Sequence, residues 1–96
     1  MGEIEKVIEK IKKNKKKIKE KGVKKIGIFG SFLKKRETSK SDIDILVEFE
    51  RISFDNYFEL LVLLEKLLKR KIDLVIEDDL KPELNYVKKE AKYVKI

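Results

Sequence analysis

The sequence has 96 residues, of which 25 are Lys or Arg and 18 are Asp or Glu, so its formal net charge is +7 at pH 7. This length predicts a single domain, residues 1–96, with a modest core. Cys and His are both absent, which excludes disulfides, thiol nucleophiles, ordinary zinc sites and catalytic triads that need imidazole. Catalysis by this chain would therefore depend on carboxylates, lysines, arginines, hydroxyls or a hard metal ion.

The sequence contains no signal peptide and no candidate membrane span. Its longest apolar run, Leu60 to Leu64, is far shorter than the roughly 20 residues that a spanning helix needs. We therefore expect a cytoplasmic protein that has no membrane partner.

The positive charge is concentrated at the start of the chain. Residues 1–25 contain eleven Lys and four Glu, a net charge of +7, whereas the remaining residues are balanced. Such a segment can attract nucleic-acid phosphates. However, lysine-rich helices are often simply solvated, and this segment has no aromatic residues on which bases could stack. We therefore do not expect nucleic acid as a partner, although a basic nucleic-acid-binding module remains one hypothesis.

The first half of the chain is predicted to form a helix followed by a strand. A helix over residues 3–21 follows from apolar residues at helical spacing, namely Ile4, Val7, Ile8, Ile11 and Ile18. Residues 23–29 form a mostly apolar strand that ends at Gly30-Ser31. A short helical segment over residues 32–36 and a polar loop over 37–41 complete this half.

The second half alternates strands and helices. Residues 42–49 and 71–76 are predicted strands. Between them lies a helix capped by Ser53 or Asp55, and a last helix starts at Pro82. The apolar face of the middle helix comprises Tyr57, Phe58, Leu60, Leu61, Leu64, Leu67 and Leu68, and that of the last comprises Leu84, Val87, Ala91 and Val94. The order α-β-α-β-α-β-α predicts an α/β fold with helices packed on a small sheet.

Two aspartates at the start of the second strand are candidate metal ligands. Asp42 and Asp44 are two residues apart, so both side chains point to the same face of the strand. Their mutual repulsion would be relieved by an oxygen-preferring cation such as Mg²⁺. If the third strand is adjacent, Asp73 completes a three-carboxylate cluster that could hold two metals for phosphoryl or nucleotidyl transfer. The alternative is that these aspartates are only solvated strand ends.

The dipeptide Gly30-Ser31 is a candidate phosphate site. A strand that ends in Gly-Ser before a helical turn presents backbone N–H groups and a hydroxyl to an anion. Glycine also lets a phosphate approach the backbone closely. The alternative is an ordinary tight turn, so the pair becomes informative only through its spacing to the aspartates.

Gly30-Ser31, ten intervening residues and then Asp42-Ile43-Asp44 resemble the signature of the DNA polymerase β-like nucleotidyltransferase superfamily. The stretch from Arg70 to Val75 resembles the strand that carries the family's third carboxylate, and Leu80 to Leu84 resembles the start of its last helix. The small size is similar to the minimal nucleotidyltransferases, or MNT proteins. This resemblance implies a small nucleotidyltransferase fold with a mixed central sheet.

The resemblance also implies a function. Family members bind a nucleoside triphosphate, here expected to be ATP, with Mg²⁺ and transfer the nucleoside monophosphate to a hydroxyl. By position, Asp42, Asp44 and Asp73 would be the catalytic metal ligands, while Gly30 and Ser31 would hold the triphosphate. Minimal members are commonly the antitoxins of HEPN-domain toxins and can adenylylate a toxin tyrosine, so a HEPN-domain toxin is the expected partner.

One part of the motif departs from the family pattern. Many relatives have Ala-Arg-Gly where this chain has Leu33-Lys34-Lys35. Lys34 can keep a positive charge near the phosphates without the bidentate geometry of Arg, or it can be a solvated surface residue. A non-catalytic antitoxin that acts by binding alone therefore remains the main alternative to an enzyme.

Overall fold

The computed structural model of the chain describes residues 2–30 and 42–96. Its helices are α1 (Glu3–Lys13), α2 (Lys15–Glu20), α3 (Phe54–Leu68) and α4 (Tyr86–Glu90), with short 3-10 turns at Glu77–Asp79 and Pro82–Leu84. Its strands are β1 (Val23–Phe29), β2 (Ile43–Phe49), β3 (Ile72–Ile76) and β4 (Lys92–Val94). The strands form one sheet in the order β3-β2-β1-β4. β1 is antiparallel to β2 and β4, whereas β2 and β3 are parallel, which confirms the predicted mixed sheet.

The core lies between one face of the sheet and the helices. Alternate residues of the two central strands, such as Ile26 and Ile45, are fully buried in the same cluster as Ile11 of α1 and Leu64 of α3. Full burial of one such side chain contributes about 1.5–3 kcal/mol. The opposite face of the sheet carries the residues between them, including Asp44. Within the described ranges, none of the helices is long and apolar enough to cross a membrane.

The predicted first helix is interrupted at Asn14. α1 ends at Lys13 and α2 begins at Lys15, because Asn14 has φ −111° and ψ 19°. Its side-chain amide donates to the Lys10 carbonyl at 2.8 Å, and such local bonds of asparagine compete with a continuous helix. The prediction of one helix over residues 3–21 was therefore wrong at this residue.

The predicted last helix was wrong over its second half. The chain forms a 3-10 turn at Pro82 and a short helix that ends at Glu90, and Ala91 is extended at φ −62° and ψ 138°. Lys92–Val94 then pairs with β1, placing Val94 opposite Ile26. Pairing satisfies the hydrogen-bonding groups on an edge of β1, and this tertiary gain outweighs the local helical pattern.

Helix α3 begins as predicted but is less buried than expected. Ser53 is its N-cap, because the Ser53 hydroxyl accepts a hydrogen bond from the Asn56 N–H at 3.1 Å. Leu60, Leu64 and Leu68 are buried. The assignment of Phe58 to the buried face was wrong, since its side chain is exposed.

Two side chains of α3 bond to the backbone of β3, the strand at one edge of the sheet. The Tyr57 hydroxyl donates to the Leu74 carbonyl at 2.6 Å. The Glu65 carboxylate accepts from the Ile72 N–H at 3.4 Å. These contacts fix α3 to the strand that carries Asp73.

Candidate active site

Gly30 and Asp44 lie against each other where β1 ends. Phe29 is the cross-strand partner of Asp44, and Gly30 follows with φ +76°. A Cβ atom on Gly30 would overlap the Asp44 carboxylate and lie 3.0 Å from its Cγ and 3.2 Å from its Cβ. Both the backbone angle and the lack of space therefore require glycine here.

Asp44 and Asp73 are direct neighbours on parallel strands. The register of β2 and β3 pairs their Cα positions, so the two side chains share the sheet face that is turned away from the helices. The condition set for a three-carboxylate cluster, that the second and third strands are adjacent, is thus met. Asp44 is half-buried, whereas Asp73 is exposed at the sheet edge.

Asp42 lies directly ahead of β2 and is exposed. It is two residues before Asp44, the spacing that puts two side chains on one face of an extended chain. The three predicted carboxylates therefore come from one corner of the sheet, next to Gly30. The remaining predicted residues, Ser31 and Lys34, lie outside the described residues, as do the predicted helical segment 32–36 and loop 37–41.

The carboxylates suit a hard cation by chemistry, since Mg²⁺ prefers oxygen ligands and binds through one or two carboxylates together with substrate phosphates. One of them, the Asp44 carboxylate, lies directly against the backbone of Gly30 and takes the space that a side chain there would need. Within residues 2–30 and 42–96, however, no three acidic side chains form a group that could hold a metal ion. This corner of the sheet thus supplies carboxylate oxygens, but the described side chains do not by themselves surround a metal ion.

Tyr57 of α3 contacts β3 next to this corner of the sheet. The sequence predicted it only as part of an apolar helix face. Its hydroxyl bonds to the carbonyl of Leu74, the residue after Asp73. Burial raises the pKa of Tyr57, and the negative charge of Asp73 raises it further. Because Tyr57 stays protonated, it remains a hydrogen-bond donor to the strand next to the carboxylate.

A polar network lies further along the same sheet face. The Tyr93 hydroxyl donates to the Glu77 carboxylate at 3.1 Å, and the Lys25 ammonium lies 3.6 Å from that carboxylate and 4.6 Å from the centre of the Tyr93 ring. Glu77 is only 7% exposed. Burial, the bond to Glu77 and the negative charges of Glu77 and Glu48 raise the pKa of Tyr93 to about 12.

Sequence reasoning missed this network, although Gly27 is a signal for it. A Cβ atom on Gly27 would lie 2.9 Å from the Tyr93 ring and 3.2 Å from the Lys92 carbonyl. A glycine inside a strand often marks such a close approach. The ring of Tyr93 thus lies over β1, on the face that also carries Asp44.

The family model described as polymerase beta, nucleotidyltransferase, matches residues 5–94, nearly the whole chain. The chain belongs to this nucleotidyltransferase family. The predicted resemblance is thereby confirmed, and the chain is a nucleotidyltransferase of small α/β fold. The roles of the individual site residues stay predictions.

Several curated proteins are similar in sequence, and two of them illustrate the similarity. A protein of Methanocaldococcus jannaschii, provisionally named a protein adenylyltransferase, is 49% identical over 81 residues, covering 82% of this chain and 81% of its own. The protein adenylyltransferase MntA of Thermococcus cleftensis is 46% identical over 61 residues, covering 62% of each chain. Both names describe transfer of an adenylyl group to protein.

Solved structures share the fold. One provisionally described as a minimal nucleotidyltransferase superposes with a TM-score of 0.72 at 29% identity, covering 88% of this chain and 92% of its own. An MNT antitoxin in complex with a tri-AMPylated HEPN toxin, from Shewanella oneidensis, gives a TM-score of 0.57 at 24% identity, covering 88% of this chain and 71% of the matched one. At that identity the second likeness shows the fold alone.

Proposed function

We propose that this chain is a magnesium-dependent protein adenylyltransferase that transfers AMP from ATP to a hydroxyl of a partner protein. The observation that carries the proposal is the placement of Asp44 between Gly30 and Asp73. A half-buried carboxylate there contacts the bare backbone of Gly30 on one side and has a second, exposed carboxylate as its neighbour on the other.

The three carboxylates share one role in this proposal, and Asp73 has a second. Asp42, Asp44 and Asp73 would hold two magnesium ions. The metal would supply positive charge to the phosphates. Gly30 would let the triphosphate approach the backbone, together with Ser31 and Lys34. Asp73, being exposed at the sheet edge, is the carboxylate that an incoming hydroxyl can reach, and we assign it the proton of that hydroxyl. The acceptor oxygen then bonds to the α-phosphorus and pyrophosphate leaves.

A protein is the acceptor that best suits this site. The candidate corner lies on the sheet face opposite the helices, and Asp42 and Asp73 are exposed there. A side chain presented by another protein can therefore reach the carboxylates. The names of the archaeal relatives, both protein adenylyltransferases, support the same acceptor class.

We further propose a HEPN-domain toxin as the partner and one of its tyrosines as the acceptor, with this chain as the antitoxin. The support comes from relatives: MntA of Thermococcus cleftensis is similar in sequence, and an MNT antitoxin bound to an AMPylated HEPN toxin is similar in fold.

The test combines the purified chain, ATP labelled in the α-phosphate, Mg²⁺ and the HEPN-domain protein encoded beside it. We expect label on the HEPN protein, and mass spectrometry should place it on tyrosine. Asp44→Asn and Asp73→Asn should each reduce labelling to background while the circular dichroism spectrum is retained. Asp78→Asn changes an exposed aspartate in the 3-10 turn after β3 and should leave labelling unchanged.

Binding alone is the alternative outcome. If the double variant Asp42→Asn, Asp44→Asn still protects cells from the toxin, the chain acts as a non-catalytic antitoxin. Unlabelled HEPN protein in the presence of retained ATP binding would likewise overturn the proposed transfer.

A further inference from the structure

The outer surface of α3 carries an apolar ridge that the candidate active site does not use. Phe54, Phe58 and Val62 are 80%, 53% and 46% exposed. Their spacing of four residues places them in one row along the helix. The rings of Phe54 and Phe58 are stacked, with centroids 6.2 Å apart and an interplanar angle of 13°. A continuous exposed apolar row of this kind is typical of an interaction surface.

A shallow groove runs beside this ridge. It has a volume of about 340 Å³ and is lined by Phe58, Val62 and Leu63, with Lys21, Glu59 and Lys66 at its rim. The aliphatic stems of the two lysines can extend an apolar wall while their ammonium groups stay in water. The same face of α3 therefore carries an apolar ridge and, beside it, a groove that is also largely apolar.

This combination suits packing against an identical helix. When rows of residues spaced by four interdigitate on both helices, the helices cross at about −50°, the commonest packing class in globular proteins. Both helices then contribute the same kind of row, so the arrangement is compatible with a twofold axis, in which each copy uses the same patch.

The charges on α3 fit an antiparallel copy. Its first turn exposes Asp55, whereas Glu59 is paired with Lys21 of the same chain at 3.0 Å. The exposed Lys66 and Lys69 lie at its end. In an antiparallel pair, Asp55 of each helix faces the basic end of the other. A parallel pair would instead place like charges opposite each other, which is destabilising.

We propose that the ridge formed by Phe54, Phe58 and Val62 is a homodimerisation surface on which α3 of two copies packs antiparallel. The twofold axis passes near the middle of the helix, between Phe58 and Val62. Phe58 then packs against Val62 of the second copy, and Asp55 faces Lys66 of the second copy. This proposal is independent of the proposed chemistry, since none of these residues lies at the carboxylates.

The test is sedimentation velocity on the full chain over a series of concentrations. We expect a dimer whose dissociation constant increases roughly tenfold or more in Phe58→Ser, as for a central aromatic contact. Tyr86→Ser is the matched control, because Tyr86 is equally exposed at 54% but lies on α4, and it should dimerise like the wild type. A wild-type chain that stays monomeric at the highest soluble concentration would overturn the proposal.

A charge exchange tests the antiparallel geometry. Asp55→Lys and Lys66→Asp should each weaken the dimer, and the double variant should restore it, because the facing pair is then reversed. Circular dichroism checks that each variant is folded. If the double variant is weaker than both single variants, the antiparallel arrangement is wrong. If the wild type is monomeric and Phe58→Ser loses binding to the HEPN protein instead, the ridge serves that partner and not a second copy.

Discussion

Gly30 and Asp44 are in contact across the ends of two antiparallel strands, and a side chain on Gly30 would occupy the space of the Asp44 carboxylate. The carboxylate that we place at the centre of the site is thus held against bare backbone. This contact joins the two halves of the sequence motif, which are separated by the residues that lie outside the described ranges.

The first prediction concerns Gly30→Ala. The added Cβ overlaps Asp44, and alanine is strained at φ +76°, so we expect the free energy of unfolding to fall by about 1–3 kcal/mol. Because Asp44 must move, nucleotidyl transfer should be lost as well. Urea denaturation and the labelling assay measure the two effects. Gly2→Ala is the control, since no atom lies within 4 Å of its Cβ position. Wild-type activity in Gly30→Ala would contradict the placement of Asp44.

The second prediction concerns the contact between Gly27 and Tyr93. In Gly27→Ala, the new methyl group meets the Tyr93 ring at 2.9 Å and the backbone of β4 at 3.2 Å. We expect a loss of about 1–3 kcal/mol in unfolding free energy from this overpacking. Adding Tyr93→Ala removes the ring, so the double variant should be more stable than the sum of the single effects predicts. Strict additivity would show that the two residues do not meet.

The third prediction is a loss of stability at alkaline pH. The pKa of Tyr93 is raised from 10.0 to about 12 in the folded chain. Between these values the unfolded chain loses the tyrosine proton while the folded chain keeps it. The unfolded state then binds fewer protons, so stability decreases as pH rises. The contribution is complete below pH 10 and is lost between about pH 10 and 12.

Denaturation midpoints at successive pH values check this prediction. Wild type and Tyr93→Phe are compared in a Tyr57→Phe background, because the pKa of Tyr57 is also raised. The two proteins differ only at residue 93, so the difference between their profiles reports the loss of the Tyr93 hydroxyl. Glu77→Gln should lower the Tyr93 pKa, as followed by tyrosinate absorbance, because the negative charge is removed. Parallel pH profiles for the two proteins would refute the assignment.

The fourth prediction concerns Tyr57→Phe. The variant loses the 2.6 Å bond to the Leu74 carbonyl, and we expect the unfolding free energy to fall by about 1 kcal/mol. Hydrogen exchange of the β3 amides should become faster, because α3 holds that strand less firmly. Tyr86→Phe is a matched removal of a hydroxyl from an exposed tyrosine and should change neither measurement. Unchanged exchange in Tyr57→Phe would argue against its role in fixing β3.

The candidate site could be predicted because its parts have strong local signals. The alternation around Asp42 and Asp44 and the apolar residues flanking Asp73 each predict a strand, whereas the adjacency of the two strands is only a condition of the predicted cluster. The register of Asp44 with Asp73 then follows from the fold. The family resemblance could be predicted for the same reason, because the spacing of Gly30-Ser31 to Asp42-Ile43-Asp44 can be read directly from the sequence.

The parts that could not be predicted depend on distant contacts. Lys92–Val94 becomes a strand only because β1 offers a free edge, which no local pattern reveals. The network of Lys25, Glu77 and Tyr93 joins residues from three separate parts of the chain. The exposure of Phe58 depends on how α3 is rotated about its own axis against the sheet. The apolar face predicted for that helix has seven residues, too many for all of them to face the sheet at once.

The bonds from α3 to β3 have a consequence for behaviour at high concentration. An edge strand normally offers unpaired N–H and C=O groups on which another chain can add a strand, and this is a route to aggregation. Here Tyr57 and Glu65 already occupy the Leu74 carbonyl and the Ile72 N–H. Two edge groups of β3 are thus already taken, which disfavours the addition of a further strand at these positions.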